Sequence, residues 1–185
     1  MLGDQPEKRE QELIRASLGG DSKAFGEIVD RYSNMVARTV RSMLGDTVFA
    51  EDIGQEVFIK LYHSLPGFRG DARLSTYIQK IAVNLTLNEL KRRKRVLSII
   101  QTADNETLHE LDVQDSDEGD RRDAAEIVDK ALMSLEPPFR VVVSMRLIQG
   151  YSTKETAEIL DLPVGTVLSR LSRAQDQLRE ILNKL

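Results

Sequence analysis

Tyr77, Lys80, Asn84, Asn88 and Lys91 recur every three or four residues, so on a helix they share one flank. The flank holds an aromatic ring, two amides and two ammonium groups. The ring can stack on a base, an amide can pair with a base edge, and the cations can hold phosphates. Beside it Leu74, Ile78, Ile81, Ala82 and Leu85 form an apolar stripe, and Lys91 to Arg95 are five consecutive cations. A solvated basic face is the alternative reading.

A second group lies in residues 152–173, STKETAEILDLPVGTVLSRLSR. Ser152 and Glu155 fit a capping box, in which each side chain bonds the other residue's backbone NH. Asp161-Leu162-Pro163 predicts a tight turn. In the helix that follows, Val164, Val167, Leu171, Ala174 and Leu178 are expected to pack inward. Thr166, Ser169, Arg173 and, at the edge, Arg170 then point outward, and Gly165 leaves room for DNA to approach the backbone. A short capped helix, a turn and a second helix make a helix-turn-helix. Hydroxyls and guanidiniums near the second helix's N-terminus suit base edges in a major groove. An ordinary helical hairpin with a polar outer face is the bland alternative. Alone, this motif indicates only a reader of duplex DNA.

Little points to catalysis. No glycine-rich loop ends in Lys-Ser/Thr, and no Ser/His/Asp set stands out. His63 and His109 are isolated, and cysteine is absent, which excludes disulfides and thiolate metal sites. Asp52 and Glu56 lie one helical turn apart, with no further ligand beside them. Neither a metal nor a cofactor is expected.

The elements that must position these groups are helices. The 185 residues are 30% charged and 5% aromatic, which fits a helix-rich chain with modest cores. No stretch approaches a membrane span and the N-terminus is acidic, so direct membrane insertion is not expected and the cytoplasm is. The net charge of −4 is uneven: residues 1–98 carry +3, residues 99–126 carry −8 and residues 127–185 carry +1. Two near-neutral bodies with basic patches flank an acidic segment, DNETLHELDVQDSDEGD, which has the composition of a flexible linker. The expected architecture is therefore all-α. A helical domain at 1–95 and a second at 123–185 are joined by the acidic linker at 96–122. Helices are expected near 9–18, 23–44, 48–65, 74–95, 123–134, 138–148, 153–160 and 164–183. Asp21 or Ser22 would cap the second and Ser75 the fourth. Phe68, between Gly67 and Gly70, is either a core plug or an exposed wedge.

Taken together, the chain resembles the extracytoplasmic-function (ECF) sigma factors of the sigma-70 family. Three motifs carry the likeness: AEDIGQEVFIKLYHSL at 50–65, GFRGDARLSTYIQKIAVN at 67–84 and YSTKETAEILDLPVGTVLSRLSRAQDQL at 151–178. The resemblance implies that the first domain (region 2) binds the clamp helices of the largest RNA polymerase subunit, with Asp52, Gln55, Glu56 and Phe58 at the contact positions. It implies that Phe68, Arg69, Tyr77, Lys80, Asn84 and Asn88 handle a melted −10 element, Asn84 reading a base edge, while Lys91, Arg92 and Arg93 hold its backbone. The second domain (region 4) would read the −35 element as duplex through Thr166, Ser169, Arg170 and Arg173, with Ser152, Thr153 and Lys154 near phosphates, and would meet the flap of the second-largest subunit. The linker would follow polymerase's basic RNA exit path. Promoter DNA, core polymerase and an anti-sigma factor are the implied partners, with no small-molecule substrate. Two residues depart from the pattern: Tyr77 stands where many relatives have Trp, and Leu168, expected to sit toward the apolar stripe of its helix, where many have a cation. A conventional helix-turn-helix regulator, with N-terminal helices that sense or dimerise, and a helical interaction protein whose basic stretches are incidental are the competing readings.

Overall fold

A computed structural model of the chain describes residues 5–103 and 121–183. Eight α-helices follow in order among them: α1 Gln5–Leu18, α2 Ser22–Leu44, α3 Val48–Ser64, α4 Leu74–Ala103, α5 Arg121–Ser134, α6 Pro137–Val143, α7 Thr153–Leu160 and α8 Val164–Leu182. A 3-10 turn at Leu65–Gly67 follows α3, and a π-helical turn at Ser144–Ile148 continues α6.

Local chemistry sets most of the boundaries. Asp21, not Ser22, caps α2: its Oδ1 accepts from the amides of Lys23 at 2.9 Å and Ala24 at 3.3 Å. Gly45 and Gly150 follow α2 and the π turn with φ near +76°, a region that favours glycine. Pro137, rather than Pro138, opens α6. Two expectations are corrected here. Helix α4 begins at Leu74, so Ser75 lies inside it rather than capping it. It also runs on to Ala103, eight residues into the stretch expected as linker, because RVLSIIQTA contains good helix formers and neither glycine nor proline. The acidic core of that stretch, 104–120, lies outside the described residues.

Helices α1 to α4 enclose one core. Ile28, Val36, Val57, Leu61, Leu74 and Ile78 are almost wholly buried there, drawn from α2, α3 and α4 at helical spacing. The same stripe of α2 and α4 does not end at that core. Met43 of α2 and Val83 of α4 are buried among Val141, Val142, Met145, Ile159 and Val167 of the second body. A third cluster, with Leu132, Leu135, Val143 and Ala174, closes α5 and α6 over α8. The two helical bodies thus pack directly against one another.

Candidate nucleic-acid interface

The flank read from the sequence forms on α4. Asn84, Asn88 and Lys91 are exposed along one side, with Lys80 half-buried at its start. The apolar stripe beside it is buried as expected: Leu74 is 1% exposed and Ile78 and Ala82 0%. Tyr77 is half-buried, and its ring lies 5.1 Å from that of Phe68 at a 45° tilt. Both rings pack on the first core. Of the two roles open to Phe68, the structure shows the plug: it anchors the loop that carries exposed Arg69 to the start of α4. Gly70, with φ of +77°, turns that loop.

The five cations are not equivalent. Arg92 donates from Nε to Glu89 Oε2 at 2.7 Å and from Nη2 to Oε1 at 2.9 Å. Arg93 Nε donates to the same Oε1 at 2.9 Å, and its guanidinium sits 4.3 Å above the centre of the Phe49 ring. The Arg92 hydrogen bonds above all, helped by those of Arg93, pull the Glu89 carboxyl down to about 2, against the opposing effect of its burial. Glu89 was not singled out from the sequence. Its place three and four residues before two arginines on a helix is the signal that reveals it.

The helix-turn-helix is built as its sequence indicates. Glu155 NH donates to Ser152 Oγ at 3.2 Å, and Ser152 NH donates to Glu155 Oε2 at 2.8 Å, completing the capping box. Hydrogen bonding from Ser152, from its side chain first and its backbone NH second, holds the Glu155 carboxyl below its usual range. Asp161 ends α7 in the left-handed region at φ 52°, which Asp tolerates better than most residues. On α8, Ser169 and Arg173 are exposed, and Thr166 and Arg170 half-buried; Lys154 is exposed and Thr153 half-buried on α7. The Ser169 hydroxyl donates back to the Thr166 carbonyl at 3.1 Å, leaving its lone pairs outward. Ser152 is committed to its cap.

Two side chains expected to pack inward do not. Val164 is 46% exposed and Leu168 is 52% exposed, while Val167 and Ala174 are fully buried. The buried seam of α8 is thus narrower than the hydrophobic residues suggest. Val164 opens the helix ahead of that seam, and Leu168 lies one residue round from it. Leu168 therefore stands on the outward surface among the candidate base-reading residues.

On α3, Asp52, Gln55 and Glu56 are exposed and Phe58 is half-buried against the first core. Gln55 and Phe58 face Ser33, Ala37 and Arg41 of α2 across a groove of about 290 Å³, which Asp52 and Glu56 do not line. Exposed Ile59 and Tyr62 extend the apolar part of this surface, and Tyr62 meets Phe25 edge-on at 5.0 Å.

This arrangement, a four-helix body with a polar, cationic helix flank and a second body with a capped helix-turn-helix, is that of the sigma-70 class. The description of sigma-70 region 2 matches residues 28–96, and that of sigma-70 region 4 matches residues 125–185. Among curated proteins, the RNA polymerase sigma-H factor of Pseudomonas aeruginosa is 30% identical over 97% of this chain and 96% of its own. The ECF RNA polymerase sigma factor SigW of Bacillus subtilis is 31% identical over 93% and 96%. The ECF RNA polymerase sigma-E factor of Escherichia coli K12 is 34% identical over 90% and 91%. CnrH, solved in complex with the cytosolic domain of CnrY, shares the fold with a TM-score of 0.69 at 24% identity, covering 95% of this chain and 98% of CnrH. The chain belongs to the ECF RNA polymerase sigma factors. These relatives are not enzymes, and likeness over nine-tenths or more of both chains favours this reading over a conventional regulator. Among the described residues no helix is long and apolar enough to cross a membrane.

Proposed function

We propose that the chain binds core RNA polymerase and directs initiation at promoters it reads in two forms, the −35 element as duplex and the −10 element as melted DNA. The observation that carries this reading is the pairing, in one chain, of a helix-turn-helix with a second, chemically different DNA-facing surface on α4. In this reading Arg173, Arg170, Thr166 and Ser169 meet −35 base edges, and Lys154 and Thr153 lie near phosphates, with Ser152 holding the end of α7 in place.

At the −10 element, pulling a base from the stack costs a few kcal/mol. A stacking or amide pocket returns about 1–3 kcal/mol, so melting also draws on phosphate contacts and on polymerase. Asn84 takes the base edge, with Asn88, Lys80 and Arg69 beside it. Lys91 is the cation best placed to hold the strand, because Arg92 and Arg93 are engaged with Glu89. Tyr77 and Phe68 act as a pair that fixes the loop. Gln55 and Phe58, with Asp52 and Glu56 beside them, receive the clamp helices of the largest subunit, and region 4 meets the flap of the second-largest. The chain contributes no catalytic step of its own and works in the cytoplasm. The relative RpoE of Bartonella quintana was solved with the anti-sigma factor NepR, and a partner of that kind is the expected regulator here, able to hold the chain at a membrane if it is itself anchored there.

Asn84→Ala separates the steps. It should leave polymerase binding unchanged and slow open-complex formation about tenfold or more, the equivalent of a lost base-edge contact of about 1–3 kcal/mol. Permanganate reactivity of −10 thymines and an equilibrium binding assay read the two steps. Equal loss of both would instead indicate a folding defect and remove Asn84 from the site.

A further inference from the structure

Helix α8 holds two apolar side chains on its outward surface that the fold does not use. Val164 and Leu168 are exposed, and among the described residues neither packs on any of the three cores. They lie four residues apart, so they adjoin on one face of the helix. A leucine on a helix leans toward the helix N-terminus, which lays Leu168 back over Val164. The pair makes one apolar ledge at the start of α8.

The neighbours of the ledge define what can cover it. At about 100° per residue, the outward surface of α8 runs from Leu168 through Ser172, Gly165 and Ser169 to Arg173, opposite buried Val167 and Ala174. Hydroxyls, a guanidinium and bare backbone thus border a hydrophobic edge. Gly165 leaves open space beside it, since a Cβ there would meet no atom within 4 Å. The second helix of a helix-turn-helix brings its N-terminal residues to base edges in the major groove. The donors and acceptors of those edges match Ser169 and Arg173. One group there is apolar, the 5-methyl of thymine. Leucine laid over any other base edge would strip water from polar atoms and offer no hydrogen bond in return.

We infer that Leu168, with Val164 behind it, reads a thymine methyl in the −35 element, so that the sequence this chain prefers holds a thymine beside the base pairs met by Ser169 and Arg173. This selection differs in kind from that of a cation on the same edge. Arginine or lysine would bond guanine or hold a phosphate. Leucine does neither and gains only from apolar contact. The gain is that of about one buried methyl, so it should be worth about three- to fivefold in affinity at this one position. It should also be largely independent of salt, unlike contacts to phosphate.

That Leu168 meets −35 DNA rests on the function proposed above. Holoenzyme assembled from the full chain and core RNA polymerase is first scored on templates varied at −35. Each thymine of the preferred element, on either strand, is then replaced singly by deoxyuridine, which removes the methyl and keeps every hydrogen-bonding group. Initiation at subsaturating holoenzyme should fall about three- to fivefold at one such thymine, by a factor that holds as salt is raised. Leu168→Ala should lose the same factor on the thymine template and become indifferent to the replacement, a coupling that reports the leucine–methyl pair. Leu168 lies off every core, and the deoxyuridine arm needs no substitution, so neither readout depends on a perturbed fold. A preferred element without thymine, a holoenzyme blind to every replacement, or Leu168→Ala with its methyl dependence intact would overturn the inference. So would an equal loss for Leu168→Ala on all templates, which would put a protein surface over the ledge. A holoenzyme with a clear −35 preference but no methyl dependence removes this inference alone; one with no −35 preference removes the −35 reading and the inference with it.

Discussion

Glu89 shows how one carboxylate reorganises a run of cations. Lys91 to Arg95 suggest a uniform phosphate-binding strip, yet Glu89 holds Arg92 and Arg93 against the helix. Glu89→Gln should release both. Binding to single-stranded DNA should then strengthen, and the slope of log affinity against log salt should steepen by about 0.7 for each phosphate gained. An unchanged slope would show that the two guanidiniums already reach DNA despite Glu89. The same substitution has a pH signature. The folded-state carboxyl lies at about 2, below its value in the unfolded chain. Its stabilising contribution is therefore fully present above the unfolded pKa and is lost as pH falls from about 5 towards 2. Urea midpoints of the wild type and Glu89→Gln should differ at neutral pH and converge in acid. The difference should be modest, because Arg92 is largely exposed.

At the scale of the element, α8 separates what the fold needs from what a ligand needs. A Cβ on Gly165 would meet no atom within 4 Å, and the residue lies in the first turn of the helix. Nothing in the fold calls for glycine there. Gly165→Ala should raise stability by up to about 1 kcal/mol, while weakening −35 binding if DNA approaches the backbone closely. Melting temperature and affinity for a −35 duplex should move in opposite directions; if both rise, Gly165 is no part of the interface. The amphipathic helices, the capping box and the exposed flank of α4 were legible because each is local, written in spacing and in cap chemistry. Three features were not. The outward turn of Val164 and Leu168 depends on the width of the α7–α8 contact, which helical periodicity does not encode. The run of α4 past Arg95 was hidden by a drop in amphipathicity, although nothing there breaks a helix. Arg140 reads as an ordinary helix cation, and its bonds to three carbonyls from two helix ends exist only after the bodies meet.

For the whole molecule, the residues that join the two bodies had no local signature. Thr39, Gln79, Ser144 and Gln149 are polar residues within otherwise apolar stripes, each unremarkable until the others surround it. The acidic composition between the bodies suggested independent domains, whereas Met43 and Val83 complete the second body's core. The family places polymerase and promoter around this chain. Arg173→Ala fits the same view: it should relax −35 preference by about 1–3 kcal/mol if Arg173 pairs with a guanine, without altering assembly with polymerase. The central claim is that the chain is a promoter-specificity subunit, and size-exclusion chromatography with purified core RNA polymerase, followed by run-off transcription from a template library varied at −35 and −10, tests it most directly. The account predicts that the monomer co-elutes with core and confers initiation on templates sharing one −35 and one −10 sequence. A chain that fails to bind core in the absence of any inhibitor, or that binds a symmetric duplex site as a dimer, would contradict it.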